Sequence, residues 1–149
     1  MIRKATVADM KQIHRILQIF SAQGTLLPRS LMALYDHVRD FCVYAEGEDV
    51  IGCCGLQICW EDMAEIRSLA VKPEHQHKKI GSHLLEFSME EALKFKIKKL
   101  FTLTYVPQFF ELHGFAVVDK SELPQKIWAD CINCVKFPDC DEIAMLRHI

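Results

Sequence analysis

The amino-acid sequence predicts an α/β fold of three layers, a mixed central sheet with helices on both faces, and three observations predict it. Two short turns, Glu46-Gly47-Glu48-Asp49 and Glu61-Asp62, join three β-prone runs into an antiparallel meander. A strand–helix–strand crossover follows, from Ala64 to Thr104, and a crossover of that length connects parallel neighbours. Half of the 149 residues are hydrophobic and 26% are charged, which suits one packed domain over residues 1–149.

The elements follow in order. Thr6, with Asp9 three residues on, is a helix-start signal of the capping-box kind. Met10, Ile13, Ile16, Leu17 and Phe20 then recur at spacings of three and four, the period of one helical face. Gly24 stops that helix, and Pro28-Arg29-Ser30 starts a shorter one whose apolar stripe is Leu31, Leu34, Tyr35 and Val38. Phe41 to Ala45, Val50 to Trp60 and Ala64 to Val71 are the meander strands, the last ended by Pro73. A helix runs from about Ile80 to Phe95, with Ile80, Leu84 and Phe87 in one row and Leu85, Met89 and Ala92 beside it. Lys99 to Thr104 is a strand, Pro107 to His113 a short helix, and Phe115 to Val118 and Glu142 to Leu146 are the last strands. The full order is β-α-α-β-β-β-α-β-α-β-β.

Charge and composition exclude several classes. Eighteen Lys+Arg against 20 Asp+Glu leave a net charge of -2, so no basic excess calls for a nucleic-acid partner. The start of the chain lacks the hydrophobic run of a signal peptide. The most apolar stretch, Val50 to Trp60, is about half the ~20 residues a membrane helix needs, so no membrane partner is expected and the expected setting is the cytoplasm. Of the seven cysteines, Cys42, Cys53, Cys54 and Cys59 sit in strand-like sequence as small hydrophobes, the usage of a reducing compartment. Cys131, Cys134 and Cys140 have C-x2-C-x5-C spacing, with His148 or Asp141 as a fourth group; a single C-x2-C lacks its second pair, so plain loop cysteines are the reading and no metal is assigned.

The crossover locates the chemistry. It sets the polar loop Glu74 to Lys79 between a strand's carboxyl end and a helix's amino end, where unpaired amides and the helix dipole favour an anion. This loop resembles the coenzyme A motif of the GNAT acetyltransferases, Arg/Gln-x-x-Gly-x-Gly/Ala after a strand ending Val-x-Pro. Val71-Lys72-Pro73, Gln76 and Gly81 match it, and Lys79 stands where the motif has its middle glycine. Three further stretches resemble the N-acetylglutamate synthases: Gln23-Gly24-Thr25-Leu26-Leu27-Pro28-Arg29-Ser30, Ala64-Glu65-Ile66-Arg67-Ser68-Leu69-Ala70-Val71, and Leu103-Thr104 through Phe109-Phe110 to Gly114-Phe115. A Leu123-Pro124 pair follows.

The resemblance implies a GNAT-like three-layer fold and an enzyme that moves acetyl from acetyl-CoA to the amine of glutamate, opening arginine biosynthesis. The expected type is short and stand-alone, without the amino-terminal kinase-like domain through which arginine inhibits many family members, and it allows a homodimer. Gln76, His77, Lys78, Lys79, Ile80, Gly81 and Ser82 would hold the pyrophosphate, and Leu69, Ala70 and Val71 would supply backbone donors to the thioester oxygen. Glu65 would assist removal of the amine proton; its alternative is an ion pair with Arg67 or a lysine. Arg29 would bind substrate carboxylate as a planar bidentate cation, with Arg67 as a second candidate and Lys126 or Lys136 as later ones. The tyrosine acid of many GNAT enzymes is replaced by Phe109-Phe110, a change that a thiol leaving group tolerates. Other amine acceptors, or a non-catalytic acyl-CoA-binding or zinc-stabilised module, are the alternatives.

Overall fold

The computed structural model describes residues 1–123 and 142–149. Pro124, Lys126, Cys131, Cys134, Lys136, Cys140 and Asp141 lie outside the described residues. The strands are β1 (Ile2–Lys4), β2 (Phe41–Glu46), β3 (Asp49–Ile58), β4 (Met63–Val71), β5 (Lys99–Thr104), β6 (Ala116–Val117) and β7 (Ile143–His148). The helices are α1 (Met10–Ala22), α2 (Leu31–Asp36), α3 (Ile80–Lys94) and α4 (Pro107–Glu111). The element order read from the sequence is the observed one, with ends shifted by a few residues. The sheet runs β1-β2-β3-β4-β5-β7-β6, with β4 and β5 its parallel pair and the other pairs antiparallel.

Two apolar layers sandwich this sheet, as the hydrophobic periodicity requires. On one face Met10, Ile13, Ile16 and Leu17 of α1 and Leu34 of α2 pack on Phe41, Val43, Val50, Cys53 and Ala70. On the other, Leu84, Leu85 and Ala92 of α3 pack on Cys42, Cys54, Leu56, Ile66 and Leu100. The start signal at Thr6 is built as expected: Asp9 accepts the Thr6 backbone N–H at 2.8 Å and pairs with Arg3 at 2.7 Å. The Arg3 hydrogen bond, helped by the Thr6 amide and opposed by burial, holds the Asp9 carboxyl below its ordinary range. In α2 the stripe is narrower than the sequence suggests, because the helix ends at Asp36: Leu34 is buried, Tyr35 is 39% exposed and Val38 lies in a following 3-10 turn.

β3 lies close beneath α3 at Gly52. A Cβ added there would stand 3.0 Å from the Ala70 carbonyl oxygen and 3.0 Å from Leu84 Cδ1. Gly52→Ala is therefore expected to destabilise the fold by about 1–3 kcal/mol, the range for overpacking, with urea unfolding as the measurement. The side chains of Cys42, Cys53, Cys54 and Cys59 are all buried, matching their reading as small hydrophobes.

Candidate active site

The site begins where β4 and β5 part. Their parallel pairing covers Met63, Ala64 and Glu65 against Lys99, Leu100 and Phe101. Beyond it the Thr102 hydroxyl donates to the Ile66 carbonyl at 3.0 Å, closing the fork. From Arg67 to Val71 the β5-facing edge of β4 borders a cleft of about 1320 Å³. That exceeds the roughly 300–1,000 Å³ usual for a small-molecule pocket, leaving room for a long ligand and a second reactant.

A β-bulge shapes this edge. Gly55 pairs with Arg67 and Cys53 with Ala70, so Ser68 and Leu69 together stand opposite Cys54. Ser68 takes a left-handed backbone, φ 53°, without being glycine. Two contacts hold it there: the Arg29 Nη1 donates to Ser68 Oγ at 3.3 Å, and the Cys53 thiol donates to the Ser68 carbonyl at 3.3 Å. Burial, before the neighbouring Cys42, pushes the Cys53 thiol up to about 12, so it keeps its proton at neutral pH. Because of the bulge, Ile66 faces the α3 layer along with Leu69 and Val71, while Ala70 packs into the α1 layer.

The crossover loop closes one end of the cleft. Gln76, His77, Lys79, Ile80, Gly81 and Ser82 line it, together with Leu69, Ala70 and Val71; Lys78 is exposed and stands outside the lining. The Gln76 amide donates to the Val71 carbonyl at 3.2 Å, folding the loop back on β4. Lys79, at the position where the motif has glycine, adopts the left-handed backbone glycine would take, φ 64°, and caps α3 with no side-chain hydrogen bond. The first-turn amides of Ile80, Gly81 and Ser82 have no acceptor within the helix. Gly81 has space around it: a Cβ would meet Phe109 at 3.6 Å, ordinary contact. A row of uncapped amides at a helix dipole's positive end suits a diphosphate.

On the opposite side three charged groups meet. Glu65 Oε1 lies 3.6 Å from Arg67 Nε, so the ion pair weighed from the sequence exists, and Arg67 also donates to the Gln57 side chain. Arg29 arrives from the turn before α2, where Ser30 accepts the Ala33 N–H at 3.0 Å and fixes the helix start. Its guanidinium stands over the Phe41 ring at 5.5 Å. Burial, then the Arg67 charge, holds Arg29 below its ordinary pKa, with Asp40 and Glu65 opposing. An incoming anion would offset the cost of keeping Arg29 charged in this partly dry chamber.

Near Phe109 and Phe110, Thr104 is buried and its hydroxyl accepts the Val106 N–H at 2.9 Å, while Tyr105 is not among the residues that line the cleft. Phe110 and Phe115 are core, edge to face at 5.3 Å, and Phe109 and Phe110 both border the cleft. Sequence reasoning missed Gln57, Ser68, Lys120 and the buried Glu142, the last two on the far wall. One signal for Glu142 existed: β7 runs antiparallel to β5, so the residue before Ile143 falls at the cleft end, beside Thr104.

Three comparisons bear on this geometry. Residues 10–115 match the Acetyltransferase (GNAT) family. An uncharacterized N-acetyltransferase of Chlorobaculum tepidum is 40% identical over 148 residues, 99% of this chain and 96% of that protein. The amino-acid acetyltransferase of Mycobacterium tuberculosis is 29% identical over 131 residues, 85% of this chain and 74% of the other. In three dimensions, N-acetylglutamate synthase of Neisseria gonorrhoeae, complexed with coenzyme A and N-acetyl-glutamate, superposes with a TM-score of 0.91 at 27% identity. That match covers 99% of this chain and 34% of the synthase, so the chain spans about a third of that protein. Among the described residues, no helix is long and apolar enough to cross a membrane.

Proposed function

Because this chain belongs to the GNAT family of acetyltransferases, we propose that it transfers acetyl from acetyl-CoA to the α-amine of L-glutamate, in the cytoplasm, at the entry to arginine biosynthesis. One observation carries the choice of acceptor: Arg29 and Arg67 share the chamber beside the β4 bulge, where Arg67 also pairs with Glu65. An acceptor bearing two carboxylates suits two cations; a neutral or cationic amine does not. The amino-acid acetyltransferase relative and the synthase bound to N-acetyl-glutamate support the same class of acceptor.

The residues fit the coenzyme. Acetyl-CoA, when bound, supplies a thioester whose carbonyl is open to amine attack. The uncapped amides of Ile80, Gly81 and Ser82 bind the diphosphate, and the β5-facing edge of β4 from Leu69 to Val71, where Gln76 already holds the Val71 carbonyl, offers its remaining hydrogen bonds to the pantetheine arm and the carbonyl oxygen. Arg29 holds an acceptor carboxylate against the bulge. Glu65 takes the amine proton, directly or through a water, while Arg67 and Gln57 orient it. Phe109 and Phe110 keep water from the carboxyl end of the cleft.

A thiol-release assay with acetyl-CoA and a panel of amino acids tests the reading. Saturable turnover with glutamate is the expected result; turnover only with other amines would move the assignment to those, and coenzyme binding without any turnover would move it to a binding module. Substitutions at Gly81 separate the ligand's need from the fold's. Alanine in the first turn of α3 is worth up to ~1 kcal/mol over glycine, and the added Cβ meets only ordinary contacts, so the melting temperature should hold or rise. Coenzyme A binding should stay within about twofold, because the motif takes alanine at this position, whereas the larger side chain of Gly81→Val should crowd the amides and weaken binding roughly tenfold, measured by calorimetric titration.

A further inference from the structure

Ser82 is the third residue of α3 and lines the cleft beside the amides assigned to the diphosphate. Its Oγ lies 3.0 Å from Nε2 of His113, a residue 31 positions further along the chain. A serine in that first turn needs no histidine to complete the helix, so the contact calls for another reason.

The imidazole is held from several sides. Its ring lies 5.0 Å from that of Phe109, tilted by 49°. Its backbone N–H donates to the Phe110 carbonyl at 3.0 Å, and its own carbonyl accepts Arg147 Nη1. The chain then turns at Gly114, φ 84°, where a Cβ would meet the Arg147 guanidinium at 3.4 Å. These contacts set the ring against Ser82, and the imidazole's tautomer decides which of the two atoms donates.

That direction matters to an anion. If Ser82 donates to His113, the hydroxyl shows only lone pairs to the cleft, and these repel a diphosphate. If His113 Nε2–H donates to Ser82 Oγ, the serine proton is turned outward as a further donor beside the helix amides. We propose that His113 is a positioning residue for the coenzyme: it donates to Ser82 Oγ, so that the Ser82 hydroxyl donates to a diphosphate oxygen. The proposal rests on the reading that this cleft holds coenzyme A.

Calorimetric titration of the whole chain with coenzyme A tests it, with ligand-observed NMR of pantetheine, which has no diphosphate, as the companion. His113→Phe keeps an aromatic ring beside Phe109 and removes the donor; it should weaken coenzyme A binding roughly tenfold, the scale of a hydrogen bond to a charged group. His113→Gln, which keeps an N–H donor, should restore most of that loss. The double variant with Ser82→Ala should bind no worse than Ser82→Ala alone, because the two residues act in series. Pantetheine should bind all of them alike. Unchanged coenzyme A binding in His113→Phe, losses that add in the double variant, or an equal loss with pantetheine would each overturn the proposal. Failure of the unaltered protein to bind coenzyme A would show first, and would overturn the reading of the cleft itself.

Discussion

Arg29→Ala is expected to lower kcat/KM for glutamate by roughly 10²- to 10³-fold while leaving coenzyme A affinity unchanged. Truncating one partner of a desolvated, hydrogen-bonded charge pair typically costs about 2–5 kcal/mol, and each 1.4 kcal/mol is about a factor of ten. Arg29 meets that description: burial is the first cause of its lowered pKa, and its Nη1 reaches Ser68 Oγ at 3.3 Å inside the cleft. The loss should fall mainly on KM if the carboxylate is held equally in ground and transition states. Arg29→Lys should recover little, since a lysine cannot reproduce the planar fork. The substitution also removes the contact with Phe41, so thermal unfolding should accompany the kinetics. Unchanged glutamate kinetics in a folded Arg29→Ala protein would remove this residue from the acceptor site.

Glu65→Gln is expected to reduce kcat by about 10²- to 10⁴-fold, the usual contribution of a positioned general base, with coenzyme A affinity kept. Glutamine has nearly the same shape, and Arg67 retains its bond to Gln57, so the local architecture should persist. A purely structural role gives a different result. Losing a partly exposed pair at 3.6 Å would cost under about 1 kcal/mol of stability and leave kcat alone. Single-turnover measurements at saturating glutamate separate the two, because they read the chemical step without product release.

What the sequence discloses and what it hides divides along physical lines. Local signals were legible: the Thr6–Asp9 start, the three-and-four spacing of α1, the acidic turns of the meander and the crossover that aims the Gln76–Ser82 loop at the cleft. These depend on residues close in the chain. Contacts across the sheet were not legible, because strand register decides them. Gln57 meets Arg67 because β3 and β4 pair as they do, and no spacing in the sequence announces it. His113 meets Ser82 for a similar reason, through the packing of α4 beside the start of α3. The bulge was hidden for a different reason. Its left-handed residue is a serine, held by Arg29 and Cys53, so tertiary contacts keep a backbone that local preference would not choose; Lys79 takes the same conformation without glycine.

The extra residue in β4 also bears on how this protein could change its acceptor. Before it, positions 65 and 67 look into the chamber with Arg29; after it, positions 69 and 71 look toward the other layer. One strand is thereby split into two independently editable stretches, and the phase reversal insulates one from the other. Swapping charges in the first stretch would redirect amine choice without disturbing the aliphatic wall that receives the acyl donor. Deleting the extra residue at the junction would leave Ala70 opposite Cys53 and Val71 opposite Gly52, on their present faces, and would remove only the bulge with the left-handed backbone that Arg29 contacts. The wall for the acyl donor would survive such a deletion, and the seat of the acceptor's cation would not.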